Sequence, residues 1–396
     1  VKATRPVIRV HPRQAARLKS GSPWVYSNEI TMDRNAKLLA PGSLVNVIGE
    51  QGSQFGTAYF NPHSLIAARI LTSSADADIG VDFFAARFQA ARAMRDRLIG
   101  VPWYRLVHAD ADGCPGLVID RFDDVFVAQS GTAGMDALEA HWLQALVSEF
   151  RPRAVFIKND SPSRAHEGLK EQVRCAHGDE AALAIVEENG VRHEFSPVAG
   201  QKTGWYFDQR DNRDFLVRYA QDRSLLDAFS YTGALALAAS KKGARNVLML
   251  DASQAALDQA VETARLNGID GRIEARRCDA MVELEEMGPA GELFDIVSCD
   301  PPPFVRARKD LESGARGYRK LARLCANLVA PGGLLCIASC SHAISVERFQ
   351  QECAIGIARS ARTARLIRSA GAAPDHPIHP MLPETAYLKS LVYHLE

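Results

Sequence analysis

The chain lacks a charge excess of either sign. Its 396 residues carry 47 Lys and Arg against 47 Asp and Glu. A nucleic-acid binder often shows a basic excess overall, so a footprint for such a partner has to be a local patch. Long apolar runs are missing too. Nothing approaches the roughly 18 consecutive apolar residues of a membrane span, so no membrane association is expected. The opening Val1-Lys2-Ala3-Thr4-Arg5-Pro6 lacks the apolar stretch of a secretory signal. None of the eight cysteines (Cys114, Cys175, Cys278, Cys299, Cys325, Cys336, Cys340 and Cys353) forms a CxxC pair. That argues against a zinc framework, and no metal is expected. Several of these cysteines sit in apolar, strand-like runs, as reduced buried thiols do. Together these absences predict a soluble, cytoplasmic protein.

What is present is a globular composition, 47% hydrophobic and 24% charged, in a chain long enough for two or three domains at roughly 150 residues each. Residues 1–76 read as short strands broken by turns. Pro41-Gly42-Ser43 precedes the alternating Leu44-Val45-Asn46-Val47-Ile48, and the pattern continues through residues 55–60 and 65–71. This predicts a small β-barrel, with Thr72-Ser73-Ser74-Ala75-Asp76 as a linker. Residues 77–186 form a central α+β module. Its first helix is expected over residues 81–99, with Phe84, Phe88, Ala91 and Met94 on one side. No catalytic constellation stands out there. From residue 187 to 396 short apolar strands alternate with helices, the pattern of a parallel sheet in a doubly wound α/β domain. Strands are expected at 225–227, 247–251, 273–276, 296–300 and 334–339, and helices beginning near Gly233, Gln254 and Arg316.

In open α/β sheets ligands bind beyond the carboxyl ends of the strands. The first strand of this domain turns at Ser230-Tyr231-Thr232-Gly233 into an apolar helix. A dinucleotide pyrophosphate would want a three-glycine loop, and only Gly233 is present. S-adenosylmethionine carries no phosphate, so a single glycine suffices for it. Asp251 ends the second strand 18 positions after Gly233, where an acid can take both ribose hydroxyls. Asp279, after the third strand, is placed for the adenine amino group. Asp227 and Asp300 are placed for the cationic methionine end. Each acid alone could simply cap a helix; four in order at strand ends read as a cofactor site.

The fourth strand leads into Asp300-Pro301-Pro302-Pro303-Phe304, where prolines stiffen the backbone. Such a loop can hold carbonyls and an aromatic ring over a flat substrate, or be no more than a rigid loop. An amino-group methyltransferase would typically place the aromatic directly after Pro-Pro, and here Pro303 intervenes. The fifth strand follows Pro331-Gly332-Gly333 and ends in Ser339-Cys340-Ser341-His342. Cys340 therefore sits at the ligand edge, with Cys336 four residues down the strand. A small buried residue is one reading of it, and a nucleophile is the other. A thiolate that attacks C6 of a pyrimidine makes C5 enamine-like and able to accept a methyl group. Asp300, protonated or bridged to the ring, could stabilise charge at N3. Cys299 is the rival thiol, but strand alternation points it away from the face used by Asp300.

These segments resemble the bacterial and archaeal ribosomal RNA large-subunit cytosine-5 methyltransferases of the PUA-plus-Rossmann type. The matching stretches in the C-terminal half are Gln201-Lys202-Thr203-Gly204 with Asp208-Gln209-Arg210-Asp211-Asn212-Arg213, then Asp227-Ala228-Phe229-Ser230-Tyr231-Thr232-Gly233. They continue with Asp300-Pro301-Pro302 and Phe304, Arg316-Gly317-Tyr318, Ser339-Cys340-Ser341 and Asp375-His376-Pro377. Gly21-Ser22-Pro23-Trp24-Val25-Tyr26 resembles the family's PUA barrel, and Pro115-Gly116-Leu117-Val118-Ile119-Asp120-Arg121 its central module, so the likeness covers essentially the whole chain.

The resemblance implies a Rossmann-like class I methyltransferase domain behind a PUA-like RNA-binding barrel, with S-adenosylmethionine as cofactor and large-subunit ribosomal RNA as partner. It implies Cys340 as nucleophile with Asp300 at the base. Asp208, Arg210, Asn212, Asp227, Phe229, Tyr231, Thr232, Gly233, Asp251, Asp279 and Asp300 would surround the cofactor. Gln201, Lys202, Thr203, Pro301, Pro302, Phe304, Arg316 and Tyr318 would face the substrate. Read without the family, residues 201–213 are only a charged helix entry. The family's usual Lys after Asp-Pro-Pro is Pro303 here. The resemblance also admits a homodimer, for which the sequence shows no interface signature.

Local basic clusters exist in spite of the neutral total. Arg306, Arg308, Lys309, Arg316, Arg319, Lys320 and Arg323 follow the Asp-Pro-Pro loop, and Arg359, Arg362, Arg365 and Arg368 recur every third residue. The second set would make a positive stripe if helical, either for RNA phosphates or as a solvated face. Two other readings stay open: a methyltransferase for another nucleotide position or a small molecule, and a non-catalytic RNA-binding protein keeping the fold.

Overall fold

A computed structural model of the chain describes residues 5–12, 15–49, 51–305 and 307–396; of the residues named above, Val1, Lys2, Ala3, Thr4 and Arg306 lie outside them. The chain divides into two compact units. One is Val1–Ala184 with Phe195–Trp205 and Pro374–Thr385; the other is Ile185–Glu194 with Tyr206–Ala373 and Ala386–Glu396.

The first unit holds two five-stranded sheets. The N-terminal segment runs β1 (Val7–Val10), α1 (Ala15–Lys19), β2 (Trp24–Val25), α2 (Arg34–Leu38), β3 (Ser43–Gly49), β4 (Gln54–Phe60) and β5 (Ala68–Thr72). Its sheet has the order β1-β3-β4-β5-β2 and closes over Ile8, Val10, Val25, Val45, Val47, Ala58 and Phe60. The third expected strand is shorter than its apolar run: Leu65, Ile66 and Ala67 form the approach to β5. Gly56 is required where β4 meets β5. It has φ +114°, and a Cβ there would lie 1.9 Å from the Thr72 carbonyl oxygen.

The second sheet, β10-β9-β8-β7-β6, is built from β6 (Trp103–His108), β7 (Leu117–Phe122), β8 (Val125–Ser130), β9 (Ala154–Asn159) and β10 (Gln172–Gly178). The helices of this segment are α3 (Val81–Leu98), α4 (Ala133–Ala137) and α5 (Glu139–Phe150). Phe84, Phe88 and Ala91 of α3 join Trp142 of α5 in its core. The fourth buried position on α3 is Arg95, not Met94. Arg95 is tolerated inside because its guanidinium pairs with both Asp112 oxygens at 2.6 and 2.7 Å and donates to the Arg105 and Asp375 carbonyls.

The second unit begins with a hairpin, β11 (Ala184–Glu188) and β12 (Val191–Phe195), followed by α6 (Arg210–Val217). Then come β13 (Ser224–Ala228), α7 (Ala234–Lys242), β14 (Asn246–Asp251), α8 (Gln254–Leu266), β15 (Ile273–Arg277), α9 (Ala280–Met287) and β16 (Phe294–Cys299). The order ends with α10 (Leu311–Asn327), β17 (Val329–Ser339), α11 (Val346–Ala358), β18 (Ala364–Ala370) and β19 (Lys389–Leu395).

The seven strands run β15-β14-β13-β16-β17-β19-β18, parallel except for β19, which is antiparallel to both neighbours. The inner strands read as continuous apolar runs because both faces are covered. Leu225, Val247, Met249 and Ile296 face the α6–α8 side, while Leu226, Leu248, Leu250 and Val297 face the α10–α11 side.

Three sequence expectations change here. Helix α10 starts at Leu311, five residues before Arg316. The Pro331-Gly332-Gly333 turn lies inside β17 as a bulge, where a Cβ on Gly333 would sit 2.7 Å from the Asp295 carbonyl oxygen. The proposed stripe from Arg359 to Arg368 is not helical: Arg365 and Arg368 lie on β18, one exposed and one half-buried. A period of three alternates faces on a strand, so no stripe can form. Arg362 is spent on the carbonyls of Ala326, Val329 and Glu396, Arg365 pairs with Glu396, and Arg368 lies over the Phe215 ring. Among the described residues no helix is long and apolar enough to cross a membrane.

Helices α10 and α11 pack closely through Gly356, where a Cβ would lie 2.3 Å from the Arg319 carbonyl oxygen and 2.9 Å from Ala322 Cβ. Backbone atoms cannot yield as a side chain can. Gly356→Ala should therefore destabilise the protein by about 1–3 kcal/mol, seen as a lower denaturant midpoint with an unchanged slope.

Candidate active site at the carboxyl edge of the seven-stranded sheet

The loop after β13 is unusual in its backbone. Phe229, Tyr231 and Gly233 all adopt left-handed conformations, with φ of +61°, +51° and +71°. Two of these residues carry side chains, and each such position costs on the order of 1–3 kcal/mol unless its surroundings enforce it. The enforcement is visible. Asp251, at the end of β14, accepts the Tyr231 N–H at 2.8 Å with one carboxylate oxygen and the Ser253 N–H at 2.8 Å with the other. Gly233 suits its place because its φ of +71° is one that other residues rarely adopt, and a Cβ there would press on Met249 Sδ at 2.7 Å. Its glycine thus serves packing against β14 as well as the turn. Thr232 is half-buried beside it.

The acids separate by environment. Asp227 is buried in β13. Asp300 is exposed just past β16 and accepts the Gln209 amide N–H at 2.8 Å. Asn212 donates in turn to Gln209 Oε1 at 2.8 Å and to the Gly371 carbonyl, so a short amide relay aims at Asp300. Asp208 accepts from the Tyr387 hydroxyl at 2.6 Å. Arg213 fixes this segment through a bidentate pair with Glu188 at 2.5 and 2.9 Å and a bond to the Tyr206 carbonyl. Arg210 lies over the Phe207 ring. Asp279 is exposed and accepts the Met281 and Val282 N–H groups, so it caps α9.

The Tyr206 hydroxyl lies within electrostatic reach of Tyr231, Asp300, Asp208 and Cys340, four segments far apart in sequence that face one space. Burial and those neighbours push its pKa up. At the same edge, Asp208 Oδ1, Asn212 Oδ1 and Ser230 Oγ are buried with no hydrogen-bond partner among the described residues. Unspent buried acceptors together with a buried carboxylate suit a ligand that carries donors and positive charge. S-adenosylmethionine, with its ammonium and sulfonium, meets that description.

Cys340 is half-buried just past β17. The residues flanking it are locked by Tyr318, whose hydroxyl accepts from Ser339 Oγ at 2.7 Å, lies 2.8 Å from Ser341 Oγ, and accepts the Phe304 N–H at 3.4 Å. Tyr318 is fully buried, and Phe304 stacks on it with ring centroids 4.8 Å apart. Its position is that of a strut behind the site. Gly314 of α10 lets the Phe304 backbone approach, since a Cβ there would lie 2.5 Å from the Phe304 carbonyl oxygen, and Gly317 makes room for the Phe304 ring, 3.0 Å from where its Cβ would be. Pro301 is buried and Pro302 exposed.

Lys389 is the residue that sequence reasoning missed. The register places it opposite Ser339, because antiparallel β19 begins where parallel β17 ends. It is buried, and its ammonium donates to the Ser341 carbonyl at 2.5 Å. Burial pushes its pKa down to about 8, and the neighbouring Cys340 side chain pulls it back up.

Not all sequence-predicted residues belong to this cluster. Gln201, Lys202 and Thr203 fall in the first unit, with Gln201 and Lys202 exposed and Thr203 buried. Arg316 lies on the outer face of α10. The rival thiol Cys299 is buried against Cys336 and Cys325 and points into the core, as alternation predicted.

With this geometry in view, the sequence signature of S-adenosylmethionine-dependent methyltransferases matches residues 172–394. The chain belongs to that family. Residues 8–73 match a PUA-like domain. "Ribosomal RNA large subunit methyltransferase I" of Shewanella denitrificans is 35% identical over 390 residues, covering 97% of this chain and 98% of that one. The protein of the same name from Aliivibrio fischeri is 37% identical over 379 residues, covering 94% and 95%. Among solved structures, SMU.776, a methyltransferase complexed with SAH, superposes with a TM-score of 0.84 at 19% identity, covering 98% of this chain and 100% of that one. The methyltransferase thus has a PUA-like domain followed along the chain by an α/β Rossmann-like one, and its cofactor is S-adenosylmethionine.

Burial, then the nearby Asp300, push the Asp227 carboxyl from an ordinary 3.8 up to about 7. Between those values the folded methyltransferase holds a proton that the unfolded chain has lost. Stability from this group is therefore full below about pH 4 and is lost as pH rises toward 7. Comparison of cofactor-free wild type with Asp227→Asn by denaturant unfolding should show the variant free of that decline, a difference on the order of 4 kcal/mol across the window.

Proposed function

We propose that the protein methylates C5 of a cytosine in large-subunit ribosomal RNA, with Cys340 as the nucleophile. The observation that carries the chemistry is Cys340, half-exposed at the ligand edge with the buried Lys389 ammonium beside it. An adjacent cation favours the thiolate, the form that attacks. The RNA substrate is supported by near-full-length identity to chains named for large-subunit ribosomal RNA, and by the PUA-like domain.

In this reading Asp251 holds the ribose and Asp279 the adenine of the cofactor. Asp227, Asp208, Arg210, Asn212 and the loop from Phe229 through Tyr231, Thr232 and Gly233 hold the remainder, including the methionine end. Bound there, S-adenosylmethionine supplies an electrophilic methyl group. The Cys340 thiolate forms a bond to C6 of cytosine, and the C5–C6 π electrons move to make C5 a carbon nucleophile. Asp300, held by Gln209, faces N3 and, in its protonated form, donates a hydrogen bond that stabilises the negative charge developing there. Once C5 bears the methyl group, loss of its proton to a base returns the electron pair to C5–C6 and expels the Cys340 thiolate. Pro301, Pro302 and Phe304 shape the wall beside the base, and Tyr318 positions Cys340 and Phe304 from behind. Gln201, Lys202 and Arg316 are assigned to the RNA, with Thr203, which is fully buried, supporting the first two from below.

The test is transfer of labelled methyl to unmodified large-subunit ribosomal RNA. Wild type should yield 5-methylcytosine, Cys340→Ala should yield none while still binding S-adenosylhomocysteine, and Lys389→Met should be slowed at least tenfold with its acidic pH–rate limb moved to higher pH. Label at another position, or label retained by Cys340→Ala, sinks the thiol mechanism; cofactor binding without labelled RNA sinks the substrate.

A further inference from the structure

Five cations converge on one concavity of the second unit, whose lining shares no residue with the cluster around Tyr206. Arg316, Arg319, Lys320 and Arg323 of α10 line it together with Arg359 at the end of α11, around a volume of about 200 Å³. The spacing explains the convergence. Residues at i, i+3, i+4 and i+7 share one helix face, and the close approach at Gly356 brings the end of α11 to the same face. α10 is sharply two-sided, with Gly314, Ala315, Tyr318, Leu321, Ala322, Leu324 and Cys325 buried on the other side.

Local acids neutralise only part of this charge. Lys320 pairs with Glu285 at 2.8 Å, and Arg319 with Glu352 at 2.6 Å. Glu352 is shared with Arg348, which also takes Glu312. Among the described residues Arg316, Arg323 and Arg359 have no ion pair. Three guanidiniums left over on one concave face of a chain with zero net charge are an arrangement for an anion with several oxygens. Guanidinium forks match phosphate oxygens two at a time.

We propose that this concavity grips consecutive backbone phosphates of the RNA substrate, as a sequence-independent clamp separate from the residues that hold the base. The proposal rests on the RNA reading above. From Arg316 to Arg323 the helix rises about 10 Å, enough to reach more than one phosphate of a strand. Such contacts fix register and add affinity without reading sequence. Arg319 and Lys320, anchored by their acids, shape the walls, and the three unpaired guanidiniums contact phosphate.

Phosphate contacts have a signature that other roles do not. Each releases condensed counterions, so log K against log salt falls by about 0.7 per contact on single strands and about 0.9 on duplex. The experiment is filter binding of an unmodified large-subunit ribosomal RNA transcript by the full chain across a salt series. Arg323→Gln/Arg359→Gln should flatten the slope by about 1.4 to 1.8 and weaken binding roughly tenfold at moderate salt. Arg323→Lys/Arg359→Lys should keep the wild-type slope, and both variants should bind S-adenosylhomocysteine as wild type does, which reports an intact fold. A Gln variant with the wild-type slope overturns the clamp while leaving the RNA substrate standing. Failure of wild type to bind the RNA at all overturns both. Loss of binding to phosphatidylserine vesicles in the Gln variant, with its RNA slope unchanged, assigns the face to a membrane surface instead.

Discussion

The carboxyl edge of the seven-stranded sheet depends on one buried phenol. Tyr318 has no exposed surface, yet its hydroxyl meets Ser339 and Ser341 on either side of Cys340 and the backbone of Phe304 in the proline loop. A hydroxyl in such a place has to be hydrogen-bonded to be tolerated, and the partners that satisfy it are the two loops that must be held still. The glycines at 314 and 317 make the arrangement possible by letting the loop lie directly on α10. Polar satisfaction, close packing and placement of the thiol are here a single constraint.

Much of this was readable in advance, and the reasons are physical. Inner strands buried on both faces leave uninterrupted apolar runs, so β13, β14, β16 and most of β17 announce themselves. Strand-end acids and the lone Gly233 follow from chain order. What escaped depends on pairing between distant segments. Lys389 becomes part of the site only because β19 runs antiparallel, which puts its first residue beside the last residue of β17. The Asn212–Gln209 relay to Asp300 likewise joins two segments about ninety residues apart. The periodicity of α3 pointed to Met94, and a buried Arg95 took the place because its partners come from elsewhere in the fold. Asp279 shows the opposite outcome: its Oδ1 caps α9, which leaves Oδ2 for a cofactor contact.

Charge patterns proved the least safe to read. A repeat of three among Arg359, Arg362, Arg365 and Arg368 means a stripe on a helix and nothing on a strand, and the chain makes β18 of it. The i, i+3, i+4, i+7 set on α10 is real because the helix is real. The neutral total says nothing of it, since acids elsewhere, many in surface pairs such as Arg265–Glu262 and Arg218–Asp214, offset the sum without touching that face.

The insertion of β19 between β17 and β18 also sets an order of events during synthesis. The ribosome releases the Cys340 segment and β18 well before β19, and until that last strand arrives β17 has an unpaired edge and β18 no neighbour to join. Open edges of this kind invite pairing with other chains, and a contact between distant segments is slow to form. The nascent protein is therefore most exposed to misassembly in the interval before residue 389 emerges. The Cys340 thiol meets the buried Lys389 ammonium only when that interval closes.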